Sequence, residues 1–154
     1  LCTGEYWKHM SSPGLLRILF VDSDHGIRSR MAAAVGQSLG LEALKFESAG
    51  LEPRTLDANV RAWWTARGLP GLEDPPCRVS DALQREDVAV VVALEPAAKS
   101  AFPTPPTPAV AMEWTMPNPV QWVQEGVAWD AACEQLYQTL RVQVQDLARA
   151  LLGE

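Results

Sequence analysis

The chain is poor in the residues that build metal and redox centres: two histidines and three cysteines in 154 residues. No Cys/His group recurs at the spacing of a zinc ligand set, which argues against a structural zinc site, and no cofactor is expected. Cys2, Cys77 and Cys133 are odd in number and unclustered. That pattern is expected of a reducing compartment without a disulfide scaffold. Cys77, after Pro75 and Pro76, reads as an ordinary loop thiol. Basic charge is scarce too: 13 Lys and Arg face 19 Asp and Glu, a net charge of -6. Phosphate contacts need clustered Lys and Arg, so a nucleic-acid partner is not expected. No apolar run approaches the roughly 20 residues of a membrane-spanning helix. The opening stretch lacks the order of a signal peptide, so a cytoplasmic location is expected. His9-Met10 resembles a cloning scar, and residues 1–12 are read as a tag or disordered tail ahead of one domain at 13–154.

What is present is a well-patterned α/β chain, 47% hydrophobic and 21% charged, long enough to bury one sizeable core. Leu16–Val21 is a short apolar run of the kind buried on both faces of a parallel sheet. A helix is expected over Arg28–Leu39, stopped at Gly40. A second strand follows at Ala43–Ser48, before a turn at Ala49-Gly50. Asp57 is placed to cap a helix reaching Arg67, ended by Gly68. A short helix is expected within 79–88, starting at Ser80. Val88–Leu94 and Ala109–Trp114 read as the third and fourth strands, separated by an irregular Pro-rich segment over 95–108. The last helix, Trp129–Leu152, sets Leu136, Leu140, Val144, Leu147 and Leu151 on one stripe. Strands alternating with helices predict a three-layer α/β/α domain around a four-stranded parallel sheet.

In such sheets ligands bind where loops leave the carboxyl ends of the strands. The loop after the first strand is Asp22, Ser23, Asp24, His25, Gly26, Ile27, Arg28 and Ser29, and it runs into a helix start. Backbone N–H groups there converge on an anion, and the helix dipole adds to the attraction. Gly26 is expected to supply positive backbone angles to a tight cradle. Arg28 offers a planar, bidentate donor to an oxyanion. A carboxylate at Asp22 satisfies the same donors and repels an incoming dianion. The loop is therefore read as occupied by its own Asp22, bonded to loop amides or to Arg28; the plainer reading makes Asp22 a turn residue at a strand end.

Several pieces in order carry a family resemblance: "ILFV" before the loop, Arg28-Ser29 followed by "MAAA", "SAGLEP" at Ser48–Pro53, "VVVAL" in the third strand, and "EWTMPNP" after the fourth. From Leu15 onward the chain resembles the low-molecular-weight protein tyrosine phosphatases and thioredoxin-coupled arsenate reductases. The resemblance implies an oxyanion-binding loop between the first strand and helix, and a later loop carrying a general acid. The departures are informative. Asp22 stands where that superfamily carries its nucleophilic Cys, Asp24 and His25 where it carries Gly and Asn, and Ile27 where it carries a second Cys. Asn118, before Pro119, replaces the general-acid Asp, and Asn has no carboxylic proton to give. The two relay cysteines of the reductases have no counterpart in "EPAAKSAFPTPP".

The combined losses imply a catalytically inactive, phosphatase-like binding or regulatory module, acting through a protein partner or self-association. The alternative is residual phosphatase chemistry or an aspartyl phospho-acceptor at Asp22, receiver-like and aided by a divalent metal. That reading lacks a phospho-accepting Asp at the end of a third strand, and no metal is expected. Trp63 and Trp64, adjacent on a helix, are weighed as core residues and, Trp64 above all, as a partner interface, where Trp is enriched.

Overall fold

The structure, a computed structural model, describes residues 15–24, 26–83, 87–102 and 109–153. The expected tail at 1–12, His25 and the segment 103–108 lie outside the described residues. Four strands form one parallel sheet: β1 (Leu16–Asp22), β2 (Leu44–Gly50), β3 (Val88–Ala93) and β4 (Val110–Glu113), in the order β2-β1-β3-β4. β1 lies between β2 and β3, and its apolar run Ile18–Val21 follows from that position. Ile18 and Phe20 are buried on one face of the sheet, Leu19 and Val21 on the other.

The two faces are covered unequally. Over the Ile18–Phe20 face pack α1 (Ile27–Ser38), α2 (Ala58–Arg67), α4 (Pro119–Gln124) and α5 (Trp129–Leu152). Leu136, Leu140, Val144 and Leu147 of α5 are buried, and Leu151 is partly so, which gives the expected stripe. The opposite face is covered by α3 (Val79–Ala82) and a 3-10 helix at Pro96–Ala101, which enclose a smaller cluster around Leu19, Val21, Val91 and Ala93. The three-layer architecture is present, with a thin third layer.

Helix α1 lies unusually close to the sheet. A Cβ added at Gly36 would stand 2.2 Å from the Phe46 ring. Only a residue without a side chain permits that approach. At the amino end of the sheet, Arg17 is 1% exposed yet charged. Its guanidinium reaches Glu47 at 2.7 Å and Asp87 at 2.5 Å, which compensates its burial.

Local signals explain most boundaries. Asp57 accepts from Asn59 N at 2.8 Å and caps α2, and Gly68, at φ 75°, closes it. Four expectations are corrected. β2 continues through Ala49 and Gly50, because Gly50 pairs with Asp22 rather than turning. The helix expected within 79–88 opens at Val79 and ends at Ala82. Residues 96–101 are regular, since Pro96 sits where its fixed φ starts a helical turn. α4 was not expected; Asn118 and Pro119 start it as cap and first residue.

Candidate functional site

β1 delivers Asp22 to the carboxyl end of the sheet, and α1 begins five residues later at Ile27. The intervening loop is clamped to the chain after β2. Leu51, Glu52 and Arg54 donate their N–H groups to the carbonyls of Asp22, Ser23 and Asp24 at 3.1, 2.7 and 2.8 Å. The end of the "SAGLEP" segment and Arg54 after it are thus the backbone rail that fixes the loop.

Asp22 is fully buried. Gly26 N lies 3.2 Å from both of its carboxylate oxygens, and Ser29 N donates to Oδ2 at 2.9 Å. The first amides of α1 therefore point at the protein's own carboxylate. Burial pushes the Asp22 carboxyl up to about 6; the Ser29 N–H opposes that rise and the negative charge of Asp24 adds to it. At neutral pH Asp22 is an anion seated on backbone donors. Gly26 has φ -99°, and the Asp24 side chain lies over it, so that an added Cβ would meet Asp24 Oδ1 at 2.3 Å unless that carboxylate moved. That corrects the expectation of left-handed backbone at Gly26.

Arg28 is turned away from Asp22's acceptor role. Its Nη2 pairs with Glu95 Oε2, and its Nη1 donates to the Met116 carbonyl at 3.3 Å. The other Glu95 oxygen accepts from the Ser23 hydroxyl. Glu95 was not singled out as a site residue from sequence. The available signal was topological: it lies two residues past β3, which lies beside β1, so both loops emerge at one edge of the site.

The acid-loop positions do not face the cradle as donors. Asn118 Oδ1 accepts from Val120 N at 3.0 Å and caps α4, and Pro119 is buried as its first residue. The same loop still touches the site through the Arg28–Met116 bond, while Trp114 packs on Phe20, ring centroids 5.7 Å apart. Ile27 is partly buried against the core, and Ser29 is buried.

The proposed Trp interface is corrected. Trp64 is 0% exposed and donates its indole N–H to the Pro70 carbonyl at 3.0 Å; Trp63 is 7% exposed and packs edge-on against Tyr137. Both are core residues because α2 turns that side onto α5. Cys77 is likewise not a free loop thiol, being disulfide-bonded, whereas Cys133 is free and buried. A cavity of about 630 Å³ lies apart from the loop, between α1, the edge strand β2 and the 70–77 segment. There the Arg30 guanidinium donates to the Asp74 carbonyl at 3.1 Å. Among the described residues, no group of three His, Cys, Asp or Glu is arranged to hold a metal ion, and no helix is long and apolar enough to cross a membrane.

No family model matches the chain, and no curated protein matches it. Solved structures do. A thioredoxin-dependent arsenate reductase from Corynebacterium glutamicum superposes with a TM-score of 0.71 at 16% identity, over 96% of this chain and 67% of that one. A low-molecular-weight protein tyrosine phosphatase from Streptococcus pyogenes gives 0.68 at 13%, over 89% and 93%. An arsenate reductase from Archaeoglobus fulgidus gives 0.61 at 24%, over 83% and 98%. The chain has the α/β fold shared by the arsenate reductases and the low-molecular-weight protein tyrosine phosphatases.

Proposed function

We propose that the chain is a non-catalytic relative of those enzymes, a binding or regulatory module that acts through a protein partner or through self-association. One observation carries the reading: the amides of Gly26 and Ser29, at the start of α1, are already bonded to the Asp22 carboxylate. An incoming oxyanion finds those donors used and meets a like charge beneath it. The chemistry of the residues supports the same reading. A buried carboxylate held at both oxygens is a poor nucleophile, and an amide at Asn118 cannot protonate a leaving group. Turnover of p-nitrophenyl phosphate, and of arsenate with thioredoxin, tests it. No rate above buffer is expected with either substrate. A rate that disappears in Asp22→Ala would refute the proposal and move Asp22 into a catalytic role.

A further inference from the structure

Below the mouth of the site Asp22 is sealed from solvent, whereas the side chains of Arg28 and Glu95 are each 14% exposed. The two carboxylates therefore hold the site at different depths. Asp22 uses the helix-start amides, and Glu95 uses the side chains that an anion entering from solvent would meet first. Its two oxygens are divided between Arg28 and the Ser23 hydroxyl, so one carboxylate bridges the loop after β1 and the loop after β3. The backbone under it is fixed. Leu94 N bonds the Val21 carbonyl at 2.9 Å, and Pro96 starts the 3-10 helix on the other side. Arg28 is also anchored without Glu95, through Nη1 to the Met116 carbonyl. Rotation of one side chain thus clears the guanidinium while the loops stay in place.

We propose that Glu95 is a latch: its carboxylate occupies the anion seat formed by Arg28 and Ser23, and an inorganic oxyanion reaches Arg28 only when that side chain leaves. The proposal rests on the reading of the loop as a self-occupied cradle. With the latch closed, Glu95 holds the guanidinium while Asp22 lies charged beneath the loop, and a dianion is repelled. Removing the Glu95 charge frees the Arg28 Nη2 donor and cuts the repulsion together. No covalent step is involved.

Calorimetric titration of the full chain with sodium tungstate and with inorganic phosphate, at pH 7.5 and low salt, tests the latch. Glu95→Ala is expected to bind at least one of the two anions at least tenfold more tightly than the unsubstituted protein. Arg28→Ala/Glu95→Ala is expected to lose that gain. Near-UV circular dichroism establishes that each variant is folded. Where Glu95→Ala does not fold, Glu95→Gln keeps the bulk and the contact to Ser23 while removing the charge, and a several-fold gain is expected. A folded Glu95 variant binding no better than the unsubstituted protein overturns the latch and leaves the self-occupied cradle standing. A gain that persists without Arg28 also overturns it, because the anion is then seated elsewhere. Turnover by the unsubstituted protein, in contrast, would overturn the non-catalytic reading itself.

Discussion

Two arginines at opposite ends of the sheet make ion pairs with different consequences. Arg17, at the amino end of β1, is 1% exposed and is held by Glu47 and Asp87. Arg28, past the carboxyl end, is held by Glu95 with 14% of each side chain exposed. Both pairs cross between neighbouring strands or their loops, so both tie the sheet together laterally. The difference is water. Arg17 and Glu47 are both almost wholly buried, so their pair is part of the packing. Around Arg28 solvent or a solute anion can take over, so the pair is exchangeable. The same chemistry is architectural at one end and selectable at the other.

The comparison breaks most visibly at Arg17. Arg17→Met is expected to cost about 3–5 kcal/mol, because Glu47 loses its guanidinium partner while staying buried. Urea unfolding followed by circular dichroism reads that loss, and adding Glu47→Leu should recover a substantial part of it. A loss below about 1 kcal/mol for Arg17→Met would place the two arginines in the same class.

Asp22 provides the next largest effect, and it depends on pH. Its carboxyl titrates at about 6 in the folded protein, against 3.8 for an aspartate free in water. Between those values the folded state holds the proton more tightly than the unfolded chain. The contribution of Asp22 to stability is therefore greatest below pH 4, declines as pH rises towards 6, and levels off above it. The decline amounts to about 3 kcal/mol at 1.36 kcal/mol per pKa unit. The stability difference between the unsubstituted protein and Asp22→Asn, measured by urea unfolding from pH 4 to 8, should follow that slope. A flat difference would mean that the carboxylate is better solvated than its burial indicates.

Glu95→Gln gives the smallest change. The Arg28 pair lies at the mouth of the site, and its loss is expected to cost about 1 kcal/mol or less, closer to an exposed ion pair than to the Arg17 cluster. The melting temperature should move little while the titration with tungstate changes. A loss as large as that of Arg17→Met would show that Glu95 is a structural tie.

The scaffold was legible in the chain because its signals are local. Apolar runs marked β1 and β3, Asp57 and Gly68 marked the ends of α2, and the stripe from Leu136 to Leu147 marked α5. The loop from Asp22 to Ser29 was legible for the same reason: a strand, a turn and a helix start lie within one short stretch. What escaped was non-local. Glu95 stands 67 residues from Arg28, and nothing in the local pattern around Leu94 and Pro96 announces which cation it meets. The role of Arg17 was hidden in the same way, since a lone Arg inside an apolar run reveals burial but not its partners. The Trp63-Trp64 pair could be read as core or interface because adjacent helix positions point about 100° apart. Packing against α5 and the Pro70 carbonyl decides it.

The contact between Gly36 and Phe46 bears on how this protein tolerates change. α1 rests on the sheet like a plank with no shim beneath it, and the absent side chain at Gly36 sets its height. One methyl group there would press against an aromatic ring, and the helix or the ring would have to give way. The seating of α1 on the sheet thus leaves no room for a side chain at one position near its carboxyl end.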